Sequence, residues 1–176
     1  MKEYRKESWI DPRIEVRESR TGKGMYAREK INTGEVVTIW GGKVFTDEEK
    51  RAGLVKKYSA SRIDENHWLG IDVDEPEVED MYLNHSCDPN IWLTDEVTFV
   101  ARRDIDPGEQ ITADYATWSI DENWVMDEPC RCGSPLCRHT ITGNDWKLPE
   151  LQERYRGHFV PYINERIGKR RIELDI

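Results

Sequence analysis

The sequence predicts a mainly β fold of the α+β class, built from short strands with a few helices. Short β-branched and aromatic stretches recur along the chain, most of them bounded by Gly, Asn, Asp or Pro. Helical signals are confined to residues 46–57 and to residues 148–168. Seven Trp, seven Tyr and three Phe among 176 residues also argue for a folded chain, because disordered chains are poor in aromatic residues.

The strands are predicted from alternation and from β-branched runs. An alternating stretch opens the series, a Gly-punctuated turn leads into the next extended piece, and a Gly pair marks a bend inside the third. These stretches and two later ones are "RIEVR" (13–17), "TGKGMYA" (21–27), "EVVTIWGGKVF" (35–45), "HWLGIDV" (67–73) and "VTFVARR" (97–103).

Three helices are predicted from their end signals. In "TDEE" (46–49), Thr46 and Glu49 form a capping box, so a short helix is expected to begin there and to reach Lys57. The stretch "LPELQERY" (148–155) has Pro near its start, and Gly157 lies just past its end. A further helix is expected in "PYINERIG" (161–168).

Two segments share one frame, Ala-Arg-x-x-Ile-x-x-Gly-Glu-x-Val/Ile-Thr. They are "AREKINTGEVVT" (27–38) and "ARRDIDPGEQIT" (101–112), each with a turn at Gly34 or Gly108 that feeds a strand. Either two hairpins use the same turn chemistry or the two segments share an origin. Two copies are too few for a solenoid.

Charge and hydropathy limit the function classes. The net charge of −9 and pI near 5.0 disfavour nucleic acid as a partner and leave room for a basic one. The start lacks an apolar signal region, and the longest apolar runs are far shorter than the roughly 20 residues of a membrane span, so a soluble, intracellular protein is expected. The acidic stretches 72–80 and 121–128 are either solvated faces or attractants for a Lys/Arg-rich peptide.

The cysteine spacing predicts a zinc site. Cys130, Cys132 and Cys137 form a C-x-C-x4-C cluster, and Cys87 stands by itself in the polar turn "NHSCDPN" (84–90). Tetrahedral zinc takes four N or S ligands, so Cys87 is expected to be the fourth thiolate. Two disulfides or four free thiols are the alternatives, and His85 and His139 lie close enough in sequence to substitute as ligands.

Four motifs in order resemble the SET-domain protein-lysine methyltransferases with a zinc-binding post-SET segment. The motifs are "GKG" (22–24), "YLNHSCDPN" (82–90), "GEQITADY" (108–115) and "CRCGSPLCR" (130–138), and the resemblance runs from about residue 13 to residue 141. It implies a β-clip of short sheets with a knot-like centre, a zinc-bound post-SET segment and C-terminal helices. The implied division is a SET domain at 13–118, a post-SET segment at 128–143 and a C-terminal helical extension at 144–176.

The resemblance also implies the site residues. S-adenosylmethionine is expected at Gly22, Lys23 and Gly24 with Met25, and at Tyr82, Asn84 and His85. Glycine suits the first of these turns because it permits close approach of the backbone to a ligand. Tyr115 falls on the family's catalytic tyrosine.

The expected function is methyl transfer from S-adenosylmethionine to a lysine ε-amine in a basic protein segment. A non-catalytic SET-like zinc module that binds a partner is the alternative, and a nucleic-acid-binding zinc ribbon is opposed by the acidic balance. The expected location is cytoplasmic in a prokaryote, with a nuclear location open in a eukaryote. Six tryptophans are expected in the core, namely Trp9, Trp68, Trp92, Trp118, Trp124 and Trp146.

Overall fold

Short strands dominate the chain, as the sequence predicts. The structure is a computed structural model that describes residues 2–20 and 22–174, with side-chain burial described up to Lys169. Its strands are β1 (Trp9–Ile10), β2 (Ile14–Ser19), β3 (Gly22–Ala27), β4 (Val36–Ile39), β5 (Lys43–Thr46), β6 (Ser61–Arg62), β7 (His67–Gly70), β8 (Asn84–His85), β9 (Ile91–Leu93), β10 (Thr98–Ala101) and β11 (Thr112–Ala113). Its helices are α1 (Asp47–Arg51), α2 (Pro149–Arg154) and α3 (Pro161–Leu174).

The strands form small sheets, and the described residues contain no closed barrel. Four antiparallel strands lie in the order β1-β4-β10-β9, three in the order β5-β7-β6, and β2 and β3 form a hairpin. The pair β8–β11 is parallel, with Asn84 opposite Thr112 and His85 opposite Ala113. This pairing brings the "NHSC" and "ITADY" motifs side by side although they lie far apart in sequence.

The two copies of the repeated frame pack against each other reciprocally. Ile31 and Ile105 exchange both backbone hydrogen bonds, at 3.0 and 2.9 Å. The Gly34 N–H donates to Ala101 O at 2.8 Å, and the Gly108 N–H donates to Ala27 O at 2.7 Å. Both glycines have positive φ, at 85° and 84°. The two copies are therefore related by a local two-fold arrangement. The turn glycine of each copy donates a backbone hydrogen bond to the first residue of the other copy.

Helix α1 begins where predicted, but the predicted end at Lys57 is wrong. The Thr46 hydroxyl accepts from the Glu49 N–H at 3.2 Å, and the Glu49 carboxylate accepts from the Thr46 N–H at 2.8 Å. The helix stops because Gly53 adopts φ +79°. The Leu54 N–H then bonds back to Glu49 O, which is the Schellman pattern of a helix end.

The C-terminal extension completes the main core. Trp146, Leu151 and the α2–α3 connection insert apolar side chains against the four-stranded sheet and the segment after β11. Tyr155, Val160 and Ile163 are each fully buried there. Helix α3 continues past the predicted end at residue 168, and residues 175–176 of the predicted extension lie outside the described residues.

Among the described residues, none of the helices combines the length and the apolar character needed to cross a bilayer.

Candidate active site and metal centre

A large open cavity of about 1550 Å³ lies beside the β8–β11 pair. One side is formed by the segment 55–60 with the end of β7, and another by the segment 118–133 that leads into the cysteine cluster. Five of the eight residues predicted for cofactor binding and catalysis line this cavity, namely Lys23, Tyr82, Asn84, His85 and Tyr115. The predicted metal ligands Cys130 and Cys132 line it as well, whereas Gly22 and Gly24 do not. Met25 does not line it, because its side chain is completely buried in the core.

The Gly-x-Gly motif, which the sequence predicts as a turn, forms the first residues of β3 and contacts Asn84 directly. The Asn84 amide donates to the Lys23 backbone oxygen at 2.9 Å. Two amide side chains lie close over Gly24: a Cβ there would lie 2.9 Å from the Asn84 amide nitrogen and 2.3 Å from the Gln110 amide nitrogen, so both side chains would have to move. The absent Cβ therefore lets the β3 backbone approach the "NHSC" strand.

Hydrogen bonds hold Tyr115 at its side-chain hydroxyl and at its backbone N–H. Its hydroxyl donates to the Leu83 backbone oxygen at 2.9 Å, and its N–H donates to His85 Nδ1 at 3.2 Å. Burial raises the pKa of the Tyr115 phenol to about 12, so the hydroxyl keeps its proton at neutral pH. Trp118 and Trp124 lie against the ring at 5.1 and 6.1 Å between centroids.

His85 connects this tyrosine to the cysteine cluster. Burial, aided by the positive charge of Arg138 and opposed by Asp114, lowers the pKa of His85 to about 4, so its ring is neutral at pH 7. Because Nδ1 accepts the Tyr115 N–H, the ring proton is assigned to Nε2. Nε2 lies 3.3 Å from Cys87 Sγ and can donate to it.

The four cysteines meet at one point. The Sγ atoms of Cys87, Cys130, Cys132 and Cys137 all lie within 4.8 Å of one another, and those of Cys87 and Cys130 are 3.9 Å apart. Tetrahedral coordination with Zn–S bonds near 2.3 Å separates sulfurs by roughly 3.8 Å, so the cluster fits such an ion. All four cysteines are free, which contradicts the alternative of two disulfides.

Burial disfavours free thiolates at Cys87 and Cys130, whereas at Cys132 burial is outweighed by hydrogen bonds from its neighbours, which lower the pKa of that thiol to about 7. Burial raises the pKa of the Cys87 thiol to about 11 and also raises that of Cys130. A bound divalent cation would be what keeps these sulfurs deprotonated at neutral pH. The donor set is therefore that of a closed structural site, with the Arg138 N–H donating to Cys87 Sγ at 3.3 Å.

Sequence reasoning missed several residues of the site. The Leu83 carbonyl contacts Tyr115, and the Gln110 amide lies beside Gly24. Asp114 lies 3.8 Å from His85, and the Arg138 N–H donates to Cys87. Asp114 directly precedes the predicted catalytic Tyr115, and Arg138 directly follows the predicted metal ligand Cys137. A charged residue next to a predicted functional residue is the sequence signal that could have pointed to both.

Trp68 and Trp146 are buried in the core as expected. Trp92 and Trp118 are half-buried and pack against that core, Trp9 is half-buried, and Trp124 packs against the cysteine cluster. Trp68, Trp118 and Trp124 also line the cavity.

Fold and site together define a protein of the SET type, and the comparisons agree. The family model "SET domain" matches residues 22–116, and the chain belongs to that family. The methyltransferase domain of human histone-lysine N-methyltransferase SETMAR has the same fold, with a TM-score of 0.59 at 20% identity, covering 75% of this chain and 58% of that one.

Similar proteins from a plant and an insect are named histone-lysine N-methyltransferases. ASHH4 and histone-lysine N-methyltransferase ASHH3, both of Arabidopsis thaliana, are 33% and 28% identical in alignments of 138 positions that cover 72% of this chain. Histone-lysine N-methyltransferase ash1 of Drosophila melanogaster is 27% identical over 168 residues, or 85% of this chain. The chain spans 38%, 37% and 7% of the lengths of these three relatives.

Proposed function

We propose that this chain transfers a methyl group from S-adenosylmethionine to the ε-amine of a lysine in a basic protein segment. The observation that carries the proposal is the position of Tyr115. Its hydroxyl is held on the Leu83 carbonyl, inside the cavity that Asn84 and Lys23 also line. SET-family membership and relatives named histone-lysine N-methyltransferases support it.

The cofactor would be held where β3 meets β8. The Lys23 backbone oxygen and the Asn84 amide supply polar groups at that junction, and Gly24 permits the close approach. Tyr82, whose ring lies 5.0 Å from the Lys23 ammonium, lines the same part of the cavity. When bound, S-adenosylmethionine supplies an electrophilic methyl group on a positively charged sulfur.

The protein's own contribution is to neutralise and align the lysine. A free lysine amine has a pKa near 10.4, and transfer requires its neutral form. The aromatic surroundings of Tyr115, Trp118 and Trp124 would lower that pKa by removing water from the charged form. Alignment of amine and methyl group accounts for most of the remaining catalysis, for which roughly 7–11 kcal/mol is available in well-oriented systems.

Tyr115 acts in this proposal as a fixed hydrogen-bonding group and not as a base. Its raised pKa of about 12 leaves little phenolate at pH 7. With the cofactor bound, the phenol oxygen and nearby backbone carbonyls would steady the methyl group through weak C–H···O contacts, each a second-order effect. No nucleophilic side chain is required, because the lysine amine itself is the nucleophile.

We further propose that one zinc ion is held by Cys87, Cys130, Cys132 and Cys137. Their mutual Sγ distances and the all-thiolate donor set support a structural ion. Trp124, Met126 and Tyr115 pack against this cluster, so an ordered metal site would support one side of the cavity.

The acidic segment 121–128 supports a basic substrate. Asp121, Asp127 and Glu128 line the cavity, and from the stretch 72–80 Asp80 lines it too. Lysines also line this cavity, and Lys50 and Lys57 lie 3.8 and 3.5 Å from the carboxylates of Asp121 and Asp127, so part of this negative charge is already balanced. A lysine-bearing segment of a histone would have the required charge, and an intracellular location fits such a substrate.

The test is mass spectrometry of core histones incubated with the protein and deuterium-labelled S-adenosylmethionine. A labelled methyl group on a lysine is the expected result. Cofactor binding without transfer to any basic protein would favour the non-catalytic module, and absence of both binding and transfer would refute the proposed function.

A further inference from the structure

The carboxylate of Asp114 is a buried meeting point of three separate segments. Its side chain has no exposed surface. Arg138 grips it with two parallel hydrogen bonds of 2.7 Å, the Tyr155 hydroxyl donates to it at 3.0 Å, and the Ala116 N–H donates to it at 3.0 Å. A charge buried this deeply is tolerated because its acceptor sites are filled by a planar, charged fork and two further donors.

Arg138 connects the cysteine cluster to the Asp114 carboxylate. It directly follows Cys137, and its own N–H donates to Cys87 Sγ at 3.3 Å. Its Nε donates to Asp145 at 3.0 Å, and Asp145 in turn accepts the Thr142 hydroxyl at 2.7 Å. The guanidinium therefore has a single position, with carboxylates on two of its edges.

Tyr155 brings the C-terminal extension to the same point. It lies directly after α2 with its ring fully buried, and its hydroxyl also lies 3.5 Å from the Cys87 backbone oxygen. The neighbouring Arg154 donates to that oxygen at 3.3 Å. The SET-domain match ends at residue 116, so Arg138 and Tyr155 both lie beyond it.

Asp114 precedes Tyr115, and this neighbour relation carries the inference. The Tyr115 N–H and hydroxyl bond to His85 and to Leu83, so the direction of the phenol depends on where the backbone at residue 114 is held. We propose that Arg138 and Tyr155 are positioning residues that set the orientation of Tyr115 through the Asp114 carboxylate. The C-terminal extension would then contribute to the reaction site, because its Tyr155 helps to orient Tyr115.

The matched pair of variants is Tyr155→Phe and Tyr162→Phe. Each removes one hydroxyl from the extension, but the ring of Tyr162 on α3 lies beside Arg62 and Arg166, and its hydroxyl is not among the donors described at Asp114. The activity readout rests on the proposed function. Loss of the Tyr155 hydroxyl is expected to lower kcat roughly tenfold with KM unchanged, the pattern of a misaligned reacting group. Tyr162→Phe is expected to keep the wild-type kcat.

A second readout is independent of methyl transfer. Amide hydrogen exchange of residues 113–117 is expected to accelerate in Tyr155→Phe and not in Tyr162→Phe, while exchange in the β2–β3 hairpin stays the same. Arg138→Lys, which keeps the charge but loses the two-pronged geometry, is expected to show the same local acceleration.

The outcomes separate this inference from the proposed function. Should the wild-type protein transfer no methyl group, the proposed function fails and the exchange data alone decide the inference. Unchanged exchange at residues 113–117 in both Tyr155→Phe and Arg138→Lys would overturn it. So would a uniform acceleration across the whole chain, which would mean that the network stabilises the fold without any particular effect on Tyr115.

Discussion

The Tyr115 hydroxyl donates to Leu83 at 2.9 Å and is held apart from the contacts of Asn84 with the Gly-x-Gly motif. Tyr115→Phe is therefore expected to lower kcat by roughly a hundredfold, because the ring loses its anchor on Leu83 and a misplacement of the reacting groups by about 1 Å can cost that much. Affinity for S-adenosylmethionine should change less than about twofold, because the loss concerns alignment in the transition state. Calorimetric titration beside turnover measurements checks both numbers, and equal turnover would exclude Tyr115 as the catalytic residue.

Gly24 gives a second prediction at the residue scale. In Gly24→Ala the new methyl group would lie 2.9 Å from the Asn84 amide nitrogen and 2.3 Å from that of Gln110, both at the ends of side chains that can move. The fold should survive, but the Asn84–Lys23 hydrogen bond should be lost, and cofactor affinity should fall about tenfold, equal to roughly 1.4 kcal/mol.

Gly168→Ala is the matched control for Gly24→Ala. Gly168 lies in α3 with nothing within 4 Å of an added Cβ, so alanine there should leave cofactor binding unchanged. If both variants bind the cofactor like the wild type, the close approach at Gly24 has no role in binding.

At the scale of elements, the cysteine-bearing segment is held by contacts that converge on Cys87. Cys87→Ser is expected to lower the zinc content to a small fraction of one ion per chain, because three thiolates leave an incomplete tetrahedral set. Residues 126–143 should then exchange their amide hydrogens faster, since metal binding and local folding are coupled. Elemental analysis with exchange mass spectrometry measures both effects.

Ser134→Ala is a suitable control for the metal prediction. It removes a hydroxyl that accepts the Leu136 N–H in the same loop but removes no sulfur. A purified wild-type protein without zinc, or a Cys87→Ser variant with a full ion, would contradict the four-cysteine assignment.

The element scale also shows how far sequence patterns reach. The start of α1 was predictable because Thr46 and Glu49 satisfy each other's backbone within four residues. Its end was not, because the left-handed turn at Gly53 competes with continued helix, and Val55 then pairs with Asp72, which lies on a distant segment. Local chemistry predicts a cap, whereas long-range pairing decides how many residues follow it.

At the scale of the whole molecule, the site too has features that local sequence patterns predict and features that only long-range packing decides. The four-cysteine cluster was predictable because spacing and valence leave Cys87 as the remaining partner. The Asp114–Arg138–Tyr155 network was not, because its members come from three segments whose contact depends on the packing of the C-terminal extension. The placement of Trp118 and Trp124 on a cavity wall depends equally on global packing.

The net charge of −9 is a property of the whole molecule, and the structure separates its local part from its bulk part. Asp121, Asp127 and Glu128 line the cavity, whereas Asp72, Asp74 and Glu75 do not, although each set carries three negative charges. Single exposed ion pairs are worth only about 0–1 kcal/mol, so any effect on a basic substrate must come from the combined field of neighbouring carboxylates. That field is screened over about 8 Å at physiological salt, which makes position decisive.

Two triple variants with equal charge change test this. Asp121→Asn with Asp127→Asn and Glu128→Gln is expected to raise KM for a basic peptide about fivefold, to flatten its salt dependence and to leave kcat nearly unchanged. Asp72→Asn with Asp74→Asn and Glu75→Gln should keep KM close to the wild-type value, because those carboxylates lie away from the cavity lining. Equal shifts of KM in the two variants would mean that the substrate responds to net charge alone. No shift in either would mean that both acidic segments are solvated faces.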